Sequence, residues 1–217
     1  MNYLTHFYLN QANPDSEFHF GVALPDLLSV YNRQLRFQSD KARFFAAQSG
    51  RPALWDGIQN HLSVDRDFHI SPIFKELQAE VHSELMRRIP KVPYRLFFVA
   101  HILIEITFDH LLLARNPNLA QNFYSHLEQV PRRGILSELE SFFESPIAGL
   151  EKHLDRFMEI RFLQGYRESD QLLVPINRML QRTGQPMTGQ EDGKQILETI
   201  QNKKTVIQSG LDQWITK

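Results

Sequence analysis

Cysteine is absent from the 217 residues, whereas nine histidines and 25 acidic residues are present. Without a thiol, the chain has no disulfide, no cysteine nucleophile and no cysteine ligand for zinc. A metal ion would therefore have to be bound by histidine, aspartate or glutamate side chains.

An excess of charge of either sign is also absent, because 24 basic residues balance 25 acidic ones to a formal net charge of −1. A broad field that attracts nucleic acid or an anionic membrane surface is not expected from this balance. The amino-terminal residues MNYLTHFYLNQ lack the basic start and the long apolar run of a secretory signal. We therefore expect a cytoplasmic protein that binds neither nucleic acid nor membrane.

Several motifs of catalysis are missing as well, namely the GxSxG elbow, the P-loop and the dinucleotide fingerprint. Alternating strand patterns are nearly absent, and apolar residues recur with helical periodicity. The sequence predicts an all-α, single-domain multi-helix bundle over residues 1–217, in which 1–115 carries the motifs and 116–217 supplies supporting helices. Besides a short helix or turn at 1–10, helices are predicted at about 17–31, 39–50, 53–70, 72–89, 92–115, 117–130, 132–143, 146–163, 169–182 and 194–216.

The stretch from Val92 to Arg115 holds the longest apolar run of the chain. From Leu96 to Leu113 it is apolar except for Thr107 and four groups that ionise or bind metals. Carboxylates in the middle of a lipid-exposed helix would cost about 2.5 to 3.5 kcal/mol each. The run therefore predicts a buried core helix.

Three of those four groups, His101, Glu105 and Asp109, are spaced four residues apart, and His110 follows directly. This spacing places the three side chains on one side of a helix. Buried charges persist only when they are paired or bind a metal, so the polar stripe needs a partner.

A second ladder with the same spacing, His61, Asp65 and His69, lies in the helix predicted at 53–70. Two such helices can face each other in a bundle and enclose one or two cations. Imidazole nitrogen combined with carboxylate oxygen suits Mn²⁺, Fe²⁺ or Zn²⁺ better than Ca²⁺. His6 and Asp26 each lie in an apolar setting and are candidates for the same kind of site.

Four segments resemble the successive motifs of the acyl carrier protein phosphodiesterases, in the same order over roughly residues 1 to 115. They are MNYLTHFYL at 1–9, GVALPDLL at 21–28, GIQNHLSVD at 57–65 and EITFDHLLL at 105–113. The chain departs from the family pattern at Val22, Leu62, Phe68-His69 and Glu105, where the family usually has Asn, Arg, Thr-Asp and Asp.

The resemblance implies a helical fold related to the HD-domain phosphohydrolases and a Mn²⁺-dependent reaction. That reaction cuts the phosphodiester that joins 4′-phosphopantetheine to a serine of holo-acyl carrier protein. Asp26, Glu105, His69 and His101 are candidates for catalytic roles, either in proton transfer or in orienting metal ligands. Position by position, the resemblance also implies the metal ligands themselves. The implied ligands are His6, Asp26, His61, Asp65, Asp109 and His110.

The hypothesis is therefore a metal-dependent phosphoric ester hydrolase that acts on acyl carrier protein or on another phosphoester. One alternative is a nucleotide phosphohydrolase of HD type. Another is a non-catalytic interaction protein whose His/carboxylate ladders form a buried hydrogen-bond network. The final helix can pack on the core or on a second subunit, so a homodimer stays open.

Overall fold

The computed structural model describes residues 2–216, which contain helices and turns but no strand. The predicted all-α fold is confirmed. Two 3₁₀ segments, Phe162–Arg167 and Ser169–Leu172, connect the later helices. The α-helices are α1 (Tyr3–Leu9), α2 (Ser16–Tyr31), α3 (Ser39–Ala46), α4 (Pro52–Ile70), α5 (Pro72–Arg88), α6 (Leu96–Arg115), α7 (Leu119–Glu128), α8 (Arg132–Phe143), α9 (Leu150–Ile160), α10 (Leu173–Arg182) and α11 (Gln190–Ile215).

The described residues fall into two compact units. The first unit comprises Tyr3–Arg66 and Asn118–Gln164. The second unit comprises Asn2, Asp67–Pro117 and 165–216. The assignment of all 217 residues to a single domain stays a prediction.

In the first unit, α2 packs against α1, α7 and α9. Asp15 caps α2, because its carboxylate accepts hydrogen bonds from the backbone N–H groups of Glu17 and Phe18. The helix continues through Pro25, which has no N–H to donate to the preceding turn. The predicted helix at 17–31 is thus one continuous element.

Two glycines allow α2 and α4 to approach each other closely in the first unit. A Cβ atom on Gly21 would lie 2.0 Å from the carbonyl oxygen of Leu54, and one on Gly57 would lie 2.1 Å from that of Phe18. No side chain larger than a hydrogen fits at either position. Because the helices cross so closely, the turn of α4 after Gly57 packs against the turn of α2 that leads to Asp26.

An aromatic cluster holds the beginning of α4 in the same unit. Trp55 is fully buried and contacts the rings of Phe37, Phe45 and Phe142. Its indole Nε1 donates a hydrogen bond of 2.6 Å to Glu138 of α8. Burial of the large rings and satisfaction of the indole N–H together fix this end of α4.

In the second unit, α5, α6 and α11 pack on one another. Among residues 2–216, α6 is the one helix long and apolar enough to cross a membrane, with a mean hydropathy of 1.8, yet 78% of that stretch is buried inside the protein. Buried core helices have the same composition. The prediction that the helix at 92–115 is buried in the core is therefore confirmed. The absence of a membrane partner stays a prediction.

Boundaries differ from the predicted ones mainly after residue 145. The helix predicted at 146–163 is shorter, because Gly149 precedes it with φ 90° and Arg161 ends it with φ 47°, both in the left-handed region. The helix predicted at 169–182 begins with a 3₁₀ turn. The last helix, α11, begins at Gln190 and packs on α5 and α6.

The glycine crossing predicts that Gly57→Ala and Gly21→Ala each lower the free energy of unfolding by about 2 to 3 kcal/mol, because the added methyl group meets backbone oxygen that cannot yield without moving a helix. Alanine would otherwise stabilise a helix interior by about 0.5 to 1 kcal/mol relative to glycine. Urea unfolding at equilibrium measures the difference. The matched control is Gly50→Ala, where nothing lies within 4 Å of the added Cβ; equal stability of all three variants would contradict the close crossing.

An ion-pair network between α5 and α11 predicts a pH dependence of stability. Hydrogen bonds from Arg87 and then Arg88 lower the pKa of Glu84 to about 2, and Arg88 also pairs with Glu198 at 2.7 Å. A carboxylate whose pKa is lower in the folded state stabilises the protein fully above its unfolded pKa, about 4.5, and this contribution is lost as the pH falls towards 2.

The stability difference between the wild type and Glu84→Gln should therefore be present at about pH 6 and shrink towards about pH 2. Urea unfolding at several pH values measures it. Glu76→Gln, at an exposed position of the same helix, is the control and should show a smaller difference. A difference for Glu84→Gln that does not change with pH would be contrary to the network.

Candidate functional site

Four predicted site residues lie in the first unit and form what we call the His6 cluster: His6, Asp26, His61 and Asp65. His6 comes from α1, Asp26 from α2, and His61 and Asp65 from successive turns of α4. One potential metal-binding atom from each of His6, His61 and Asp65 lies within 4.8 Å of those of the other two. Asp26 Oδ1 lies 4.0 Å from His61 Nε2, so three helices contribute side chains to this cluster.

The tautomer of His61 follows from its backbone partner. Its Nδ1 lies 2.8 Å from the carbonyl oxygen of Val22, which accepts but cannot donate a hydrogen bond. Nδ1 therefore carries the proton, and Nε2 keeps its lone pair. Burial, followed by the charge of His6, holds the pKa of His61 well below its usual value, although Asp65 acts in the opposite direction. A neutral imidazole with a fixed tautomer is the form that binds metals.

His6 and His61 stack face to face with ring centroids 4.0 Å apart and planes inclined by 20°. Both residues are buried, at 1% and 4% exposure. Nε2 of His6 lies 3.8 Å from Asp65 Oδ1, and Nε2 of His61 lies 4.0 Å from Asp26 Oδ1. The side chains of Asp65 and Asp26 are 35% and 29% exposed. The cluster therefore has buried nitrogens on one side and partly exposed carboxylates on the other.

Three supporting groups of this cluster were not singled out from the sequence. The Asn10 side-chain amide donates hydrogen bonds to the His6 carbonyl oxygen at 2.9 Å and to Asn60 Oδ1 at 3.0 Å, which ties α1 to α4 beside the two imidazoles. The third group is the Val22 carbonyl. Pro25, three residues later, has no N–H to donate to the carbonyl of Gly21, so it marks a turn of α2 whose hydrogen bonding is incomplete, although it does not single out the Val22 carbonyl. No comparable sequence signal marks Asn10 or Asn60.

A second group, which we call the Glu105 cluster, lies in the second unit and comprises His69, His101 and Glu105. Nε2 of His69 and Nε2 of His101 are 3.1 Å apart, and each lies 3.1 Å from Glu105 Oε1. The three atoms form an equilateral triangle. Here the last residue of one ladder lies against the first two residues of the other.

The surroundings of the Glu105 cluster favour an ionised carboxylate. Burial alone would raise the pKa of Glu105, but nearby positive charge and the hydrogen bonds from His101 and His69 hold it well below its usual value. The ring of Phe74 stands edge to face against both imidazoles, with centroid distances of 4.9 Å to each. The two histidine rings are therefore held in place on their apolar side.

Asp109 and His110 lie in α6, in the second unit, and both are buried. His110 Nδ1 donates a hydrogen bond of 2.8 Å to the carbonyl oxygen of Tyr166. As with His61, a backbone carbonyl fixes the protonated nitrogen and leaves Nε2 as the basic one. Their predicted role as metal ligands stays a prediction.

The predicted site residues thus fall into two clusters and not along two facing ladders. His61 and Asp65 meet His6 and are accompanied by Asp26, whereas His69, from the last turn of the same helix, meets His101 and Glu105. Each cluster offers two imidazole nitrogens with carboxylate oxygen, which is a donor set for a divalent transition-metal ion. Metal-assisted hydrolysis is the chemistry that such donors support.

Comparison with known proteins matches the chain to the family model for acyl carrier protein phosphodiesterase over residues 1–215. No curated protein and no solved structure is similar enough to give a significant match. The matched range contains every residue of the His6 cluster and of the Glu105 cluster, together with Asp109 and His110. Because the match covers nearly all of the 217 residues, the chain belongs to the acyl carrier protein phosphodiesterase family.

Proposed function

We propose that this protein is a metal-dependent phosphodiesterase that releases 4′-phosphopantetheine from holo-acyl carrier protein, with the His6 cluster as its metal centre. Membership of the family supports the reaction class and the carrier protein as substrate. The observation that carries the metal centre is the pair of buried, stacked imidazoles, each with its Nε2 close to a carboxylate.

The separations within the His6 cluster fit a shared cation better than direct hydrogen bonds. At 3.8 Å and 4.0 Å, the two Nε2-to-carboxylate distances exceed the length of a hydrogen bond. They are short enough for both atoms of a pair to bind one ion, since bonds from nitrogen or oxygen to such ions measure about 2.0 to 2.2 Å. His6, His61, Asp65 and Asp26 would hold the ion, and Mn²⁺ suits this mixture of donors, as Fe²⁺ and Zn²⁺ do.

The protein's own groups prepare this centre in three ways. The hydrogen bond to the Val22 carbonyl keeps the Nε2 lone pair of His61 unprotonated. The buried side of the cluster keeps water away from His6 and His61. The partly exposed carboxylates of Asp26 and Asp65 form the side from which a phosphate group can approach.

A divalent ion at this centre would polarise the phosphoryl oxygens and lower the pKa of water. In the reaction, a water oxygen bonds to phosphorus while the bond between phosphorus and the serine oxygen breaks. The serine oxygen takes a proton, and 4′-phosphopantetheine leaves with the phosphate. Asp26, 4.0 Å from the basic nitrogen of His61, would orient this centre or accept the proton of the attacking water.

The other predicted roles are also part of this proposal, but the geometry of the His6 cluster does not bear on them. They are the metal-ligand roles of Asp109 and His110, the proton-transfer roles of Glu105 and His69, the relation to the HD-domain fold, and the cytoplasmic location. A homodimer also stays a prediction, although α11 packs on α5 and α6 of its own chain.

Loss of a buried nitrogen ligand tests the metal centre. We expect His61→Gln to lower kcat/KM for Mn²⁺-supported release of 4′-phosphopantetheine by about 100-fold or more, because even residues that only orient ligands contribute 10- to 100-fold. Phosphopantetheine release from holo-acyl carrier protein, followed by mass spectrometry, measures the rate.

The matched control is His82→Gln, in α5, whose ring contacts Phe97 and no group of either cluster. It should retain wild-type activity. Circular dichroism shows whether each variant is folded. A folded His61→Gln variant with wild-type kcat/KM would remove the His6 cluster from the mechanism.

A substrate panel separates the three hypotheses about function. With Mn²⁺ present, we expect turnover of holo-acyl carrier protein and of a simple phosphodiester such as bis(p-nitrophenyl) phosphate. Turnover of nucleotides alone would favour a nucleotide phosphohydrolase. The absence of any turnover and of any bound metal, combined with unfolding of Asp109→Ala, would favour the non-catalytic network instead.

A further inference from the structure

We propose that the side-chain amides of Asn10 and Asn60 form a clip, here called the amide clip, that positions His6 against His61. This inference rests on the proposed function, because it concerns the geometry of the same metal centre. Asn10 directly follows α1, which carries His6, and Asn60 directly precedes His61 in α4. The side-chain nitrogen of Asn10 lies 2.9 Å from the carbonyl oxygen of His6 and 3.0 Å from Asn60 Oδ1. Both asparagines would thus be positioning residues.

The orientation of the two amides follows from their hydrogen-bond partners. The carbonyl oxygen of His6 can only accept a hydrogen bond, so Asn10 must face it with its NH₂ group and not with its oxygen. The same NH₂ group also donates to Asn60, which must therefore present its own oxygen. Reversal of either amide would place two oxygens or two NH₂ groups against each other. The amide clip therefore has one arrangement, in which Asn10 donates twice and Asn60 accepts.

Helix α1 is too short to hold His6 in place without help from the rest of the fold. It has seven residues, whereas helices shorter than about 12 residues are marginal in water when they stand alone. The last turn of a helix also leaves carbonyl groups without partners inside the helix. Asn10 donates to one of these carbonyls, that of His6, and joins it to α4 through Asn60. The backbone of the proposed metal ligand is therefore itself the point of attachment.

The apolar side of α1 makes contacts of a different kind. This helix packs on α2 and α7, and the rings of Tyr3 and Phe7 both contact Phe123 of α7. Hydrophobic contacts are non-directional, whereas hydrogen bonds constrain both distance and angle. Ligands of a working site have to be held within about 0.5 Å of the productive geometry. The amide clip gives the directional restraint between α1 and α4 beside the stacked rings, whose centroids are 4.0 Å apart.

A matched pair of substitutions separates the hydrogen bonds from the effect of charge. Asn10→Asp and Asn60→Asp each introduce one negative charge without a change of shape, at groups that lie 3.0 Å apart. Asn60→Asp keeps an acceptor for the NH₂ group of Asn10, so the amide clip is retained. Asn10→Asp removes both donors and sets a carboxylate against the carbonyl oxygen of His6. The difference between the two variants therefore reports the hydrogen bonds.

The test measures the affinity of the full-length, metal-free protein for Mn²⁺, from the loss of the free-ion signal in electron paramagnetic resonance. We expect Asn10→Asp to weaken binding of the ion that His61→Gln loses by about 10- to 100-fold, as other residues that orient metal ligands do. Asn60→Leu, which removes the acceptor without adding charge, should weaken it by about 10-fold or more. Asn60→Asp should bind it at least as tightly as the wild type does.

A merely structural role of the amide clip predicts a different result. Asn10→Asp and Asn60→Leu would then lower the free energy of unfolding in urea, but the folded variants would bind Mn²⁺ with wild-type affinity. That result would overturn the proposal, as would equal weakening by Asn10→Asp and Asn60→Asp.

His61→Gln distinguishes failure of this inference from failure of the proposed function. If His61→Gln weakens Mn²⁺ binding and Asn10→Asp does not, the amide clip loses its role while the metal centre stands. If the wild type binds no ion, or His61→Gln binds Mn²⁺ as the wild type does, the proposed metal centre fails and the inference fails with it.

A measurement on the wild type does not depend on the folding of variants. Because coupling between two equilibria is reciprocal, a clip that strengthens metal binding is itself strengthened by the metal by the same factor. The side-chain NH₂ protons of Asn10 should therefore exchange with solvent about 10-fold or more slowly when Zn²⁺ saturates the His6 cluster. Those of Gln121, which donate to Ser125 at an exposed position of α7, are the control and should not change. An unchanged exchange rate for Asn10 would overturn the proposal.

Discussion

The close crossing of α2 and α4 at Gly21 and Gly57 is the constraint on which the His6 cluster depends. With backbone oxygens about 2 Å from where each Cβ would be, the two helices touch through their main chains. That contact places Nδ1 of His61, one turn beyond Gly57, within hydrogen-bond distance of the Val22 carbonyl, the residue after Gly21. Larger residues at the crossing would separate the helices and release the imidazole from the partner that fixes its tautomer.

The two clusters contain the same types of side chain but differ in how these side chains are arranged. In the His6 cluster, burial and the charge of His6 hold the pKa of His61 below its usual value, and the carboxylates stand 3.8 Å and 4.0 Å from the nitrogens. In the Glu105 cluster, two imidazole nitrogens and a carboxylate oxygen approach one another at 3.1 Å. The first arrangement suits a metal centre that a phosphate group approaches from the carboxylate side, whereas the second is held by contacts among its own side chains.

Family membership and site geometry support different parts of the functional conclusion. The match over residues 1–215 gives the reaction class, phosphodiester hydrolysis, and the carrier protein that the family name specifies. The geometry gives the donor atoms, their protonation and their exposure, which the family name does not contain. The proposed mechanism needs both, because donor atoms alone do not identify a substrate, and a family name does not say which histidine nitrogen carries a proton.

Local sequence determined the helices and the spacing of the ladders, since both follow from apolar periodicity, from caps such as Asp15 and from the i, i+4 geometry of one helix. It also identified His6, Asp26, His61 and Asp65 as candidates. Only the tertiary structure decided that the ladder of α4 divides, with His61 and Asp65 joining His6 while His69 joins His101 and Glu105. Spacing along a helix defines which side chains share a face, but their partners come from helices distant in sequence, whose approach depends on packing at positions such as Gly21 and Gly57.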